Sequence, residues 1–149
     1  IRRRRPRLVF SFLSVDRHPD HVRASRLVTD AAFYAGLRTL ETGRGPHRPQ
    51  QVVYYPSTFL AEPTFLVDVT EVLQIKLAAV RAFKSQFFDP ASTEPATFIS
   101  SPEFLDGVTA RARAFGRLAN AGAAEGFVSP RPPLLADPLA AFDGFETGY

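Results

Sequence analysis

Cysteine, methionine and tryptophan are absent from the 149 residues. Without Cys there is no disulfide, no thiolate metal site and no Cys nucleophile. A chain that opens Ile1-Arg2-Arg3 with no Met anywhere is expected to be a processed product or a piece of a longer one. Long apolar runs are lacking too. No stretch approaches the ~18 apolar residues of a membrane-spanning helix, so no membrane partner is expected. There is no Gly-rich phosphate loop. Lysine is scarce: of 18 basic residues only Lys76 and Lys84 are Lys.

A composition of 45% hydrophobic and 22% charged residues suits one soluble globular core, and the length is short for two ordinary domains. The net charge is only +3, yet Arg2, Arg3, Arg4, Arg5 and Arg7 crowd one end. Followed by Leu8-Val9-Phe10-Ser11-Phe12-Leu13, they imitate the n- and h-regions of a signal peptide. No small-residue cleavage site follows, and Asp16-Arg17-His18 ends the apolar run. A nucleic-acid footprint is the other functional reading of the Arg run, but no basic residues interleaved with aromatics follow to form a stacking surface. The Arg run is therefore expected to be a solvated helix end before a strand. The expected location is cytoplasmic, with no nucleic-acid partner.

Residues 7–13 are apolar at nearly every position, as in a strand buried on both faces of a parallel sheet. Pro19 suits a first helical position, where its missing N–H costs nothing. Ala24, Leu27, Val28, Ala31 and Ala35 then share a helical face, and Gly36 is a stop. A Gly/Pro/Arg loop over 42–49 leads to a strand at 51–55, which completes a right-handed βαβ unit. A third strand is predicted at 64–69. Asp68 and Glu71 form a predicted capping box for a helix running to about Phe87, with Val72, Ile75, Ala79 and Phe83 on its buried stripe. Ser101-Pro102 opens a last helix lined by Phe104, Val108, Ala112, Phe115 and Ala119, with Gly122 ending it. The domain is expected to cover 1–128, followed by a Pro-rich tail over 129–149 that wraps the surface or a neighbouring subunit.

His18-Pro19-Asp20-His21 is the only cluster with the density of a site. It lies where a strand ends and a helix begins, the end of an open α/β sheet at which ligands bind. At i, i+3 in a first helical turn, both imidazoles face one crevice. One is then able to ligate a metal while the other approaches substrate. The alternative is ordinary loop polarity, with His18 capping the helix and Asp20 serving the dipole. A Ser/His/Asp triad through Ser14 or Ser25 is disfavoured, because no nucleophile elbow surrounds either. His47 is expected to be solvated.

The stretch Asp16-Arg17-His18-Pro19-Asp20-His21, followed by Ala24-Ser25-Arg26-Leu27, resembles the second motif of the LmbE/PIG-L family of zinc-dependent N-deacetylases. The resemblance continues through Val53-Tyr54-Tyr55, Pro63-Thr64-Phe65-Leu66-Val67-Asp68 and Arg81-Ala82-Phe83-Lys84-Ser85-Gln86-Phe87 to Glu125-Gly126-Phe127. Within the family it is most similar to the N-acetylglucosaminyl-malate deacetylases of bacillithiol synthesis. The resemblance implies Zn2+ as cofactor, with His21 as a zinc ligand. It implies His18 as the group that stabilises the oxyanion or protonates the leaving amine, and Asp20 as the carboxylate that orients and charges His18. The implied substrate is a small N-acetylated amino sugar, and the implied assembly a homo-oligomer, often hexameric. Arg17 is a candidate for the malate carboxylates, or else a surface ion-pair partner. Tyr55 is a candidate oxyanion or substrate contact, or else core.

The family's other signature, Ala-His-Pro-Asp-Asp-x-Glu, has no match here. A catalytic zinc usually takes three protein ligands. The chain is thus expected to be the C-terminal part of a Rossmann-like three-layer α/β/α deacetylase that lacks the first strands. Ile1 and its neighbours up to Pro6 would then close an earlier helix. Alone, it is expected neither to hold zinc tightly nor to deacetylate. The rival reading is a non-catalytic remnant that serves as a binding or assembly module.

Overall fold

A computed structural model describes residues 1–142 except 94 and 96. The chain divides into two compact units, one of Ile1–Phe65 with Gly126–Ala141 and one built on Leu66–Glu125.

In the first unit, β1 (Leu8–Phe12) and β2 (Gln51–Tyr55) pair in parallel, in register from Leu8 opposite Gln51 to Phe12 opposite Tyr55. Helix α1 (Pro19–Tyr34) is the crossover between them, so the predicted strand–helix–strand order stands. The start of α1 follows from local chemistry. His18 is the N-cap, Pro19 opens the first turn, and Asp20 places a negative charge where the helix dipole favours one. The buried positions of α1 and its cap are small: Ser25, Ala32 and Ala35. Leu27, expected on the buried face, is exposed. The burial of β1 is one-sided. Ser11 is 4% exposed, whereas Leu8 and Phe10 on the opposite face are 43% and 53% exposed, so the cover expected on both faces is present on one.

The Arg-rich end is neither helical nor simply solvated. Arg4 and Arg5 N–H groups close a turn onto Ile1 O, and Arg5 has a left-handed φ of 48°. The Arg2 guanidinium donates to the carbonyls of Ala35 (2.9 Å), Leu40 (2.6 Å) and Arg44 (3.1 Å), and also to Leu37. It thereby satisfies carbonyls just beyond the C-terminus of α1, which a helix cannot satisfy internally. A positive charge is also favoured there. On the far side of β2, Tyr54 and Val128 exchange two backbone hydrogen bonds of 2.8 Å. The Phe127 ring sits 5.4 Å from both Phe10 and Phe65.

Strand β3 (Phe65–Asp68) pairs with β4 (Ala124–Phe127), a strand the sequence pattern does not announce. The described strands therefore form two separate pairs, and a single three-layer sheet is not seen among them. In the second unit, α2 (Leu73–Arg81) and α3 (Pro102–Leu118) enclose a core of Val69, Leu73, Leu77, Val108, Ala112 and Ala123, with Phe104 against it.

Four expectations are corrected here. The Asp68–Glu71 capping box does not form. Asp68 Oδ1 instead accepts from Thr70 N–H (2.8 Å) and Thr70 Oγ1 (2.6 Å), and Thr70 Oγ1 accepts the Ala123 N–H. A 3-10 turn over Thr70–Val72 follows, and α2 ends at Arg81 rather than Phe87. The buried stripe of α2 is Leu73 and Leu77, while Val72, Ile75 and Phe83 are exposed. Helix α3 begins as expected, with Ser101 Oγ accepting from Phe104 N–H. It ends four residues before Gly122, where Asn120 takes a left-handed φ of 53°. The tail includes a short helix, α4 (Pro138–Phe142), and residues 143–149 of it lie outside the described residues.

Candidate functional site

The predicted cluster lies at the carboxyl ends of β1 and β2. Parallel register makes this inevitable: Phe12 faces Tyr55, so the segments that follow both strands leave the sheet side by side. The segment after β1 carries Asp16, His18 and His21, and the one after β2 carries Ser57 and Thr58.

Asp16 is the hub. Its side chain is 1% exposed. Its Oδ1 accepts the His18 backbone N–H at 2.8 Å and lies 3.1 Å from His21 Nδ1, with Thr58 Oγ1 at 3.5 Å. Its Oδ2 accepts a hydrogen bond from Ser57 Oγ. Burial pushes the Asp16 pKa upward. The hydrogen bonds from Ser57, His18 and His21, together with the His21 charge, outweigh burial and leave the carboxyl below its ordinary value. A buried carboxylate with this many donors remains charged, and an unpaired one would be costly.

His21 is 32% exposed and is held on two sides. Its Nδ1 faces Asp16 Oδ1 and Ser57 Oγ, the latter at 3.2 Å. Its ring stacks on Phe12 with centroids 3.9 Å apart and planes 7° from parallel. His18 lies beside it, ring centroids 4.9 Å apart. His18 Nδ1 accepts the Asp20 N–H at 3.2 Å, so His18 caps the helix. A neutral imidazole has one N–H and one lone-pair nitrogen. With Nδ1 accepting, neutral His18 carries its proton on Nε2 and is a donor there.

The Asp20 carboxylate is exposed, 3.0 Å from Arg23 Nη1 and 4.0 Å from His18 Nδ1, so its nearer partner is Arg23. Arg17 is exposed between Asp16 and His18. Tyr55 is half-buried with its ring 5.0 Å from Phe12, which puts it on the same aromatic support as His21. Burial raises its phenol pKa. His47 is partly buried, with Nε2 2.8 Å from Pro6 O, and so is not simply solvated. Ser25 is buried on α1 and Ser14 is exposed. Ser57 meets Nδ1, the same imidazole nitrogen that faces Asp16. In a Ser/His/Asp triad the Ser and Asp take opposite nitrogens, so Ser57 does not complete one.

The sequence pattern marks neither Asp16 as the hub nor Ser57 as its partner. The available signal was the register itself: parallel strands at 8–12 and 51–55 bring residues 16 and 57 together. Among the described residues, no group of three or more His, Cys, Asp or Glu is arranged to hold a metal ion. No helix among them is long and apolar enough to cross a membrane.

No family model matches the chain. It is 37% identical over 95 residues to a diacetylchitobiose deacetylase of Thermococcus kodakarensis, covering 58% of this chain and 34% of that protein. Its structure is similar to the conserved protein TT1542 from Thermus thermophilus, with 37% identity, a TM-score of 0.79 and coverage of 90% of this chain and 56% of that one. Two further structures have a TM-score of 0.69. One is the N,N'-diacetylchitobiose deacetylase of Pyrococcus horikoshii, 24% identical over 88% of this chain and 48% of that one. The other is GalB, the 4-carboxy-2-hydroxymuconate hydratase of Pseudomonas putida, 22% identical over 91% and 57%. At those identities the last two show the fold alone, and their chemistries differ. The chain spans about a third of the curated relative and about half of each solved structure.

Proposed function

We propose that this chain is part of a deacetylase that hydrolyses the acetamide of an N-acetylglucosamine conjugate, releasing acetate and a free amine. The observation that carries the reading is the side-by-side pair of His18 and His21 at the carboxyl ends of β1 and β2. The 37% identity to a diacetylchitobiose deacetylase supports it.

In this reading His18 is the catalytic donor. Its Nε2–H meets the oxyanion that develops when water attacks the acetamide carbonyl, or the ring delivers a proton to the departing amine. Asp20 supports it by fixing the ring through its backbone N–H. His21 is proposed as one zinc ligand through Nε2, with the other ligands outside the described residues. Tyr55 and Arg17 are proposed substrate contacts. Tyr55 lies on the Phe12 support, and Arg17 is set for a carboxylate on the aglycone. A Rossmann-like three-layer sheet, a homo-oligomer and a cytoplasmic location belong to the same proposal.

Acetate release by the whole protein, with zinc supplied, is the test. It is compared on N,N'-diacetylchitobiose and on N-acetylglucosaminyl-malate, the conjugate of the bacillithiol pathway. Release from either supports the reading, and preference for the malate conjugate that falls in an Arg17→Ala variant assigns the aglycone. No release from either contradicts it.

A further inference from the structure

The His18-Pro19-Asp20-His21 motif leaves one question open: what decides which nitrogen of His21 carries the proton. The neighbours answer it by donor count. Asp16, as a carboxylate, only accepts. Ser57 has one hydroxyl proton, and its Oγ donates that proton to Asp16 Oδ2. At His21 Nδ1, 3.1 Å from Asp16 Oδ1 and 3.2 Å from Ser57 Oγ, the hydrogen must therefore come from the ring.

We infer that Asp16 and Ser57 are positioning residues that hold His21 in its Nδ1–H tautomer, leaving Nε2 as the lone-pair nitrogen. The division of labour is geometric. Asp16 is anchored by the His18 backbone N–H at 2.8 Å, so its carboxylate is tied to the same helix start that carries His21. Ser57, on the segment after β2, fixes the other carboxylate oxygen and stops the carboxylate from rotating away. Phe12 fixes the ring plane. His18 is set the opposite way, Nδ1 accepting and Nε2 donating. Two adjacent imidazoles thus present opposite chemistry at Nε2, a lone-pair acceptor at His21 and a hydrogen-bond donor at His18. The link to metal binding rests on the reading above, but the tautomer itself does not.

The test is long-range proton–nitrogen NMR of the imidazole rings in the metal-free 149-residue chain, above the pH at which they are neutral. The expected spectrum shows His21 with a protonated Nδ1 and a bare Nε2, and His18 with the reverse. Asp16→Asn is expected to move His21 toward the Nε2–H form. Ser57→Ala is expected to move it part of the way, and Ser57→Thr, which keeps the hydroxyl, to restore it. A purely structural role would leave the ring nitrogens unchanged in any variant whose amide spectrum stays dispersed. Should Asp16→Asn fail to fold, the wild-type tautomer and the two Ser57 variants decide. A wild-type His21 protonated on Nε2, or one insensitive to both positions, overturns the inference. The expected tautomers without acetate release by the whole protein would sink the deacetylase reading and leave this inference standing.

Discussion

The rings of Phe12 and His21 lie parallel within 7°, centroids 3.9 Å apart. A hydrogen bond at Nδ1 leaves a ring free to swing about the N···O axis, and stacking on a strand residue removes that freedom. Phe12→Leu is expected to keep the Nδ1–H tautomer of His21 while removing the ring-current shift on its carbon-bound protons. The stability cost should be on the order of 1 kcal/mol, as for a near volume-conserving core change that loses an aromatic contact. Proton NMR and urea unfolding check both parts.

Arg2 gathers carbonyls from Ala35, Leu37, Leu40 and Arg44. Hydrogen bonds to a charged donor are worth about 1.5–3 kcal/mol when buried and less when exposed. Arg2→Ala is expected to destabilise the fold by about 1–3 kcal/mol. Arg2→Lys should recover only a small part, because an ammonium cannot reproduce the planar fork. Thermal unfolding of the three proteins is the check.

Two glycines of α3 should respond with opposite signs. A Cβ on Gly116 would lie 2.6 Å from Ala121 O and 2.8 Å from the Ala123 backbone, whereas one on Gly107 meets nothing within 4 Å. Helix propensity alone favours Ala at both by about 1 kcal/mol. Gly107→Ala is therefore expected to stabilise by about 0.5–1 kcal/mol, and Gly116→Ala to destabilise by about 1–3 kcal/mol through overpacking. Chemical denaturation midpoints measure this directly.

Hydrogen bonds from the Thr70 hydroxyl and then its backbone N–H hold the Asp68 carboxyl below its usual range. A carboxyl whose folded pKa is depressed adds stability above its unfolded pKa, ~3.9, and loses it as pH falls through the folded value. The stability difference between wild type and Asp68→Asn should thus be constant near neutrality and shrink in acid. A difference that does not change with pH would contradict this.

The βαβ half of the fold is legible in the sequence for specific reasons. Residues 8–12 are an apolar run, Pro19 marks a helix start behind a capping residue, and the strand at 51–55 is flanked by Pro49 and Pro56. Helix α2 is ambiguous in the sequence because it is apolar on more than one side. Val72, Ile75 and Ala79 fit the helical period as well as Leu73 and Leu77 do, and only packing against α3 selects the second set. Strand β4 gives no signal, since Ala, Glu and Gly are poor strand formers. The histidines of the site are legible because they sit within one turn of each other in sequence. Ser57 is not, because only tertiary pairing brings it to Asp16 across 41 positions.

In the proposed reading, His21 serves deacetylation through its bare Nε2. Acetate release from N,N'-diacetylchitobiose or N-acetylglucosaminyl-malate by the whole protein, wild type against His21→Ala in the same zinc-supplemented buffer, tests it most directly. The account predicts turnover by the wild type and none above background by the variant. Equal rates for the two proteins would contradict it.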